Sequence, residues 1–150
     1  MKIAAIVLLI TLASTSAQAE DLWLLGSNRK TVDFGDKDTL KTLPYNMRRI
    51  WVTRVMSDIK NPKTTGGYNK ILYKVDCGEE SLQTTSIISY DLSGNVKGST
   101  DSPGQWLHVP PGSVSAAIIE FACGPDSYAA DAHFAGGDPL KMAGYLFEAN

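Results

Sequence analysis

Cysteine and histidine are scarce in this chain, with two of each among 150 residues, and they do not cluster. Cys77 is followed by Gly78-Glu79-Glu80 and Cys123 by Gly124-Pro125, with no second Cys or His at ligand spacing and no CxxC pair. A structural zinc site and a thioredoxin-type redox centre are therefore not expected. The GxSxG, HExxH and GxxxxGK[ST] stretches of common hydrolases and nucleotide-binding proteins are missing, and the acidic residues are scattered. No catalytic residue, cofactor or metal is expected. Positive charge is not in excess either: 14 basic against 16 acidic residues give a formal net charge of −2, which leaves no overall electrostatic footprint for nucleic acid or an anionic membrane. Long apolar runs are also lacking. The longest, Ile3 to Leu12 with only Thr11 interrupting, is about half of the roughly 20 residues that span a bilayer core.

That short run has the grammar of an export signal. Lys2 supplies the positive start, and Ala17-Gln18-Ala19 places small residues where a signal peptidase reads. The expected organisation is a signal peptide over 1–19, a domain over 20–124, and a C-terminal extension with a short helix over 125–150. No cysteine near residue 20 offers itself for lipidation, so the expected location is periplasmic or secreted without an N-terminal lipid. In an oxidising compartment the two cysteines pair in one way only, Cys77 with Cys123. The bridge closes a loop of about 46 residues, worth on the order of 4 kcal/mol in the chain-entropy model.

Ile71, Tyr73, Val75 and Cys77 alternate with Lys70, Lys74 and Asp76, the period of a strand with one packed face. Cys77 is on that face. Arg48 to Met56 is a second strand whose two faces are both apolar in part, Ile50 and Val52 on one side and Trp51 and Val55 on the other, so its inner side is left open. Asn61 to Gly67 reads as an exposed loop, and Leu82 to Ser99 as a hairpin turning at Asp91-Leu92-Ser93-Gly94-Asn95. Leu22–Leu25 and Lys30–Phe34 add two short strands. After Pro110-Pro111-Gly112, Ser113 caps a helix whose stripe is Val114, Ala117, Ile118, Phe121 and Ala122, stopped by Gly124-Pro125. The expected fold class is α+β: an antiparallel sheet of about six strands with a C-terminal helix tethered by the disulfide to one face. Asp138 and Pro139 start a further short helix, expected to hang loosely on the Ala- and Gly-rich segment Tyr128 to Gly137.

Few residues stand out as a site. Arg48, Arg49 and Arg54 beside Trp51 form a candidate binding patch, with charge protecting an edge strand as the equal alternative. His108 lies five residues before Ser113, but spacing cannot show the convergent geometry that a nucleophile and base need; it and His133 read as loop histidines. Trp23, Trp51 and Trp106 read as core anchors.

Several segments in order carry a resemblance. These are Trp23-Leu24-Leu25-Gly26, Arg49-Ile50-Trp51-Val52, Tyr73-Lys74-Val75-Asp76-Cys77, Tyr90-Asp91-Leu92-Ser93-Gly94-Asn95-Val96, and Trp106-Leu107-His108-Val109-Pro110-Pro111-Gly112-Ser113 leading to Phe121-Ala122-Cys123. Together they resemble the bacterial surface-adhesin protein E family. The resemblance implies an antiparallel sheet with a helix disulfide-tethered to its concave face. It also implies adhesion to host matrix and serum proteins, and a capacity to form a homodimer. The function expected is therefore an exported, non-enzymatic binding domain with a host or envelope protein as partner. The alternative is a periplasmic inhibitor of a hydrolase such as a lysozyme or protease, which a rigid, disulfide-bonded β domain also suits.

Overall fold

Two long strands, β4 (Met47–Ser57) and β5 (Thr65–Asp76), form the centre of the molecule, pairing antiparallel from Met47↔Asp76 to Ser57↔Thr65. The computed structural model describes residues 20–129 and 132–149; the expected signal segment 1–19 lies outside the described residues. Around the central pair run β1 (Asp21–Ser27), β2 (Thr31–Asp36), β3 (Lys41–Leu43), β6 (Ser81–Tyr90), β7 (Val96–Thr100), β8 (Leu107–His108) and β9 (His133–Ala135). Among the described residues the sheet has nine strands, in the order β7-β6-β5-β4-β2-β1-β9, with β3 paired to β4 and β8 to β6. The expected antiparallel sheet is thus present and larger, because the three short strands β3, β8 and β9 join its margins.

Alternation sends Ile50, Val52, Ile71, Tyr73 and Val75 to a first face, where they meet Ile118, Ile119, Phe121 and Ala122 of helix α1 (Val114–Cys123). Ser113 caps α1 as expected, its Oγ accepting the Ala116 N–H at 3.1 Å. Cys123 at the helix end is bonded to Cys77 just past β5, with Cα atoms 5.7 Å apart. Close approach of α1 depends on Gly35, where an added Cβ would lie 2.9 Å from the Phe121 ring.

Helix α2 (Pro139–Ala149) covers part of the opposite, second face, burying Ala143 and Phe147 against Leu22, Val32, Phe34 and Val55. Asp138 Oδ1 accepts the Leu140 N–H at 2.9 Å, so the cap and the Pro139 start are as expected. The loose attachment is not. Asp21, Leu22 and Trp23 of β1 pair with Ala135, Phe134 and His133 of β9, and Phe134 meets Phe34 edge-on. Edge pairing is made by backbone groups, which an Ala- and Gly-rich segment offers without any side-chain pattern. The open question on β4 is resolved in part by the same helix: α1 covers Ile50 and Val52 on the first face, and α2 covers Val55 on the second.

Trp23 is buried, Trp51 is partly buried, and Trp106, expected in the core, is 39% exposed with the Lys74 ammonium 5.9 Å from its ring. It precedes β8 on the outer edge of the sheet, where only one side finds packing.

Candidate functional site

The three candidate arginines share a strand but not a surface. By alternation along β4, Arg48 and Arg54 belong to the first face and Arg49 to the second. Arg54 Nε donates to Asp33 Oδ1 at 2.7 Å, and Asp33 is 1% exposed. Burial pushes the Asp33 carboxyl above its usual range despite the attraction of Arg54. Burial also works against the Arg54 charge, but Asp33 and then Tyr73 outweigh it and hold the guanidinium firmly protonated. Arg54 is thus committed within the fold. Arg48 Nη1 donates to the Met47 carbonyl at 3.0 Å, and Arg49 is exposed. Of the three, Arg49 alone is on the same face as Trp51.

The histidines are also apart. His133 stacks on the Trp23 ring, with centroids 4.5 Å apart, and its Nε2 is hydrogen-bonded to Asp21 Oδ1. His108 is exposed on β8. The Ser113 hydroxyl donates to the Pro110 carbonyl while accepting from Ala116, so it serves the helix start. Among the described residues, no group of three or more His, Cys, Asp or Glu is placed to hold a metal ion.

The feature that residue spacing did not point to lies on the second face. Beside α2, the sheet is uncovered, and Asp36, Trp51, Thr53, Lys70, Ile88 and Tyr90 line a cleft of about 220 Å³. Four strands contribute to it. The backbone N–H of Trp51 donates to Thr39 Oγ1 at 3.0 Å, and Thr39 lines the same cleft. Tyr90 stacks on Tyr68 with the rings 4.8 Å apart and nearly parallel. Lys70 Nζ reaches Glu20 Oε1 at 2.6 Å. Burial opposes the Lys70 charge, yet the Glu20 hydrogen bond and charge outweigh it and raise its pKa. The Asp36 carboxyl is raised in turn, first by burial and then by Glu20. Two aromatic rings, the aliphatic Ile88 and the charged Lys70 and Asp36 thus line one cleft. The signal available in the sequence was the second, non-core set of positions on β4, β5 and β6, where Trp51, Lys70 and Tyr90 fall.

The family model described as Surface-adhesin protein E matches residues 23–124 of this chain. Among solved structures, crystal form II of Haemophilus influenzae protein E aligns over 78% of this chain and 98% of its own, with 11% identity and a TM-score of 0.48. A second structure of Haemophilus influenzae protein E aligns over 77% and 93%, with 12% identity and a TM-score of 0.44. No curated protein matches.

Proposed function

This chain belongs to the surface-adhesin protein E family, and from that premise we propose that it is an exported binding domain, not an enzyme, that holds a host or envelope protein against the uncovered part of its second face. The match over residues 23–124 carries this reading, because it spans the strands that build the cleft. A disulfide between Cys77 and Cys123 suits an extracytoplasmic location, where thiols are oxidised. Trp51 and Tyr90 supply what protein interfaces concentrate, large aromatic surface with a polar rim.

Two measurements test the reading. Protease shaving of intact host cells, with fractionation of periplasm, outer membrane and medium, establishes where the protein resides; recovery in the cytoplasm overturns export. Capture of envelope and host matrix proteins on the wild type and on Trp51→Ala then tests the surface. A partner retained by the wild type and lost from Trp51→Ala supports the cleft, and equal retention moves the contact elsewhere.

A further inference from the structure

A different end of the molecule combines charge with exposed apolar surface. Antiparallel register brings the β1–β2 turn, with Arg29 and Lys30, beside the β4–β5 loop, with Ile59, Lys60, Pro62 and Lys63. Ser57 N–H donates to the Lys30 carbonyl at 2.9 Å and ties the two together. Both segments are held in shape from within. Asn28 Oδ1 accepts the N–H groups of Lys30 and Thr31, at 2.8 and 3.0 Å. Asp58 Oδ1 accepts those of Lys60 and Asn61, at 2.8 and 2.9 Å. The Asp58 N–H is bonded to the Thr64 carbonyl at 2.8 Å, closing the loop.

This frame leaves Ile59 98% exposed, the most exposed of the large hydrophobic residues described. Beside it, Arg29, Lys30, Met56, Ile59 and Pro62 border an open hollow of about 580 Å³. Arg29, Lys30, Lys60 and Lys63 are all exposed, and none belongs to an ion pair among the described residues. They outnumber the one carboxylate of the two segments, Asp58. The formal net charge of −2 hides this tip, since it averages the basic end with acidic residues elsewhere.

An isolated exposed isoleucine is ordinary on a protein surface. One held out on a braced loop, with unpaired cations on its own loop and on the neighbouring turn, fits an interface whose outer layer is negative and whose interior is apolar. We propose that this tip docks the protein on an anionic lipid surface, with Ile59 entering the headgroup layer while Arg29, Lys30, Lys60 and Lys63 meet the lipid phosphates. A soluble polyanion such as a sulfated polysaccharide would use the cations alone and leave Ile59 without a role.

Flotation of the protein, purified as the cell makes it, with vesicles of phosphatidylglycerol and phosphatidylcholine tests this, with pure phosphatidylcholine vesicles and a heparin column as controls. The wild type should float with anionic vesicles, less so as salt rises. Each cation near such a surface changes partitioning by about fivefold, so reversing both charges in Lys60→Glu/Lys63→Glu should weaken it by at least about twentyfold. Ile59→Asn, with no change in charge, should weaken it by about threefold or more. Melting temperatures of the variants should match the wild type because the altered side chains are exposed; if the reversal does not fold, Lys60→Gln/Lys63→Gln takes its place. Equal binding to neutral vesicles, no binding to either, or charge-dependent binding that is insensitive to Ile59→Asn and stronger on heparin would each overturn the proposal.

Discussion

Asp33 of β2 and Arg54 of β4 face each other across the ladder, and their side chains close at 2.7 Å with the carboxylate 1% exposed. Removing the arginine strands a carboxylate out of reach of water. Breaking a buried pair from one side is far more damaging than replacing both partners. Arg54→Met should therefore lower stability by about 3 kcal/mol, and Asp33→Asn/Arg54→Met should recover most of it. Urea denaturation of the set measures this. A single variant within about 0.5 kcal/mol of wild type would mean that water reaches Asp33 and the pair contributes no more than a surface bridge.

The Cys77–Cys123 bridge, with a separation of 46 residues, ties the end of β5 to the end of α1. Its main effect is on the unfolded chain, whose loop entropy it limits. Cys77→Ser/Cys123→Ser should be less stable by about 2–4 kcal/mol. Reductant should lower the melting temperature of the wild type and leave that of the double variant unchanged. Matching melts of oxidised and reduced wild type would show that packing of Phe121 and Ile118 holds α1 in place unaided.

What could be read from the chain and what could not divide along a physical line. β5 shows a period of two because Lys70, Lys74 and Asp76 stand opposite its packed residues, and α1 shows its stripe because one side meets the sheet. Those patterns arise from contrast between core and water. β4 lacks the contrast, because α1 covers Ile50 and Val52 on one face while α2 covers Val55 on the other, and β9 is held by backbone pairing that is blind to side chains. The cleft and the tip were hidden for another reason. Trp51, Lys70 and Tyr90 become neighbours only through the register of three strands, as do Lys30 and Ile59 through the β2–β4 pairing. Along β4, alternation puts Arg49 on the opposite face from Arg48 and Arg54, and Arg54 has a buried partner that sequence proximity does not reveal.

Asp36 gives the cleft a pH dependence. Burial raises its carboxyl above the ordinary 3.8, and Glu20 and Asp38 add to the effect while Lys70 opposes it. The folded state then holds the proton more tightly than the unfolded chain. This group's contribution to stability is greatest at acid pH, declines as pH rises from about 3.8 through the raised value, and stays low above it. Asp36→Asn keeps an oxygen to accept the Asp38 N–H, which now reaches Asp36 Oδ1 at 3.2 Å, and removes the buried charge. The variant should melt above the wild type at pH 7, with the gap closing as pH falls toward 4. A gap that widens on acidification would reverse the sign and contradict the burial argument.

The C-terminal extension lies beyond the residues matched by the family model, yet its helix completes the second core. Phe147 is 2% exposed and shares its cluster with Val55, Val32 and Leu22 from three different strands. If α2 is part of the folding unit, emptying that position leaves a cavity the sheet cannot collapse into. Phe147→Ala should then lower stability by about 3 kcal/mol. Tyr145→Ala, at a residue 61% exposed on the same helix, should change it by less than about 0.5 kcal/mol. Equilibrium denaturation followed by Trp fluorescence and by far-ultraviolet circular dichroism distinguishes two outcomes. A single transition that shifts in Phe147→Ala for both probes makes the sheet and α2 one cooperative unit. An unshifted main transition, with helix signal lost early, would show instead that 125–150 is an appendage whose docking contributes nothing to the adhesin-family domain beneath it.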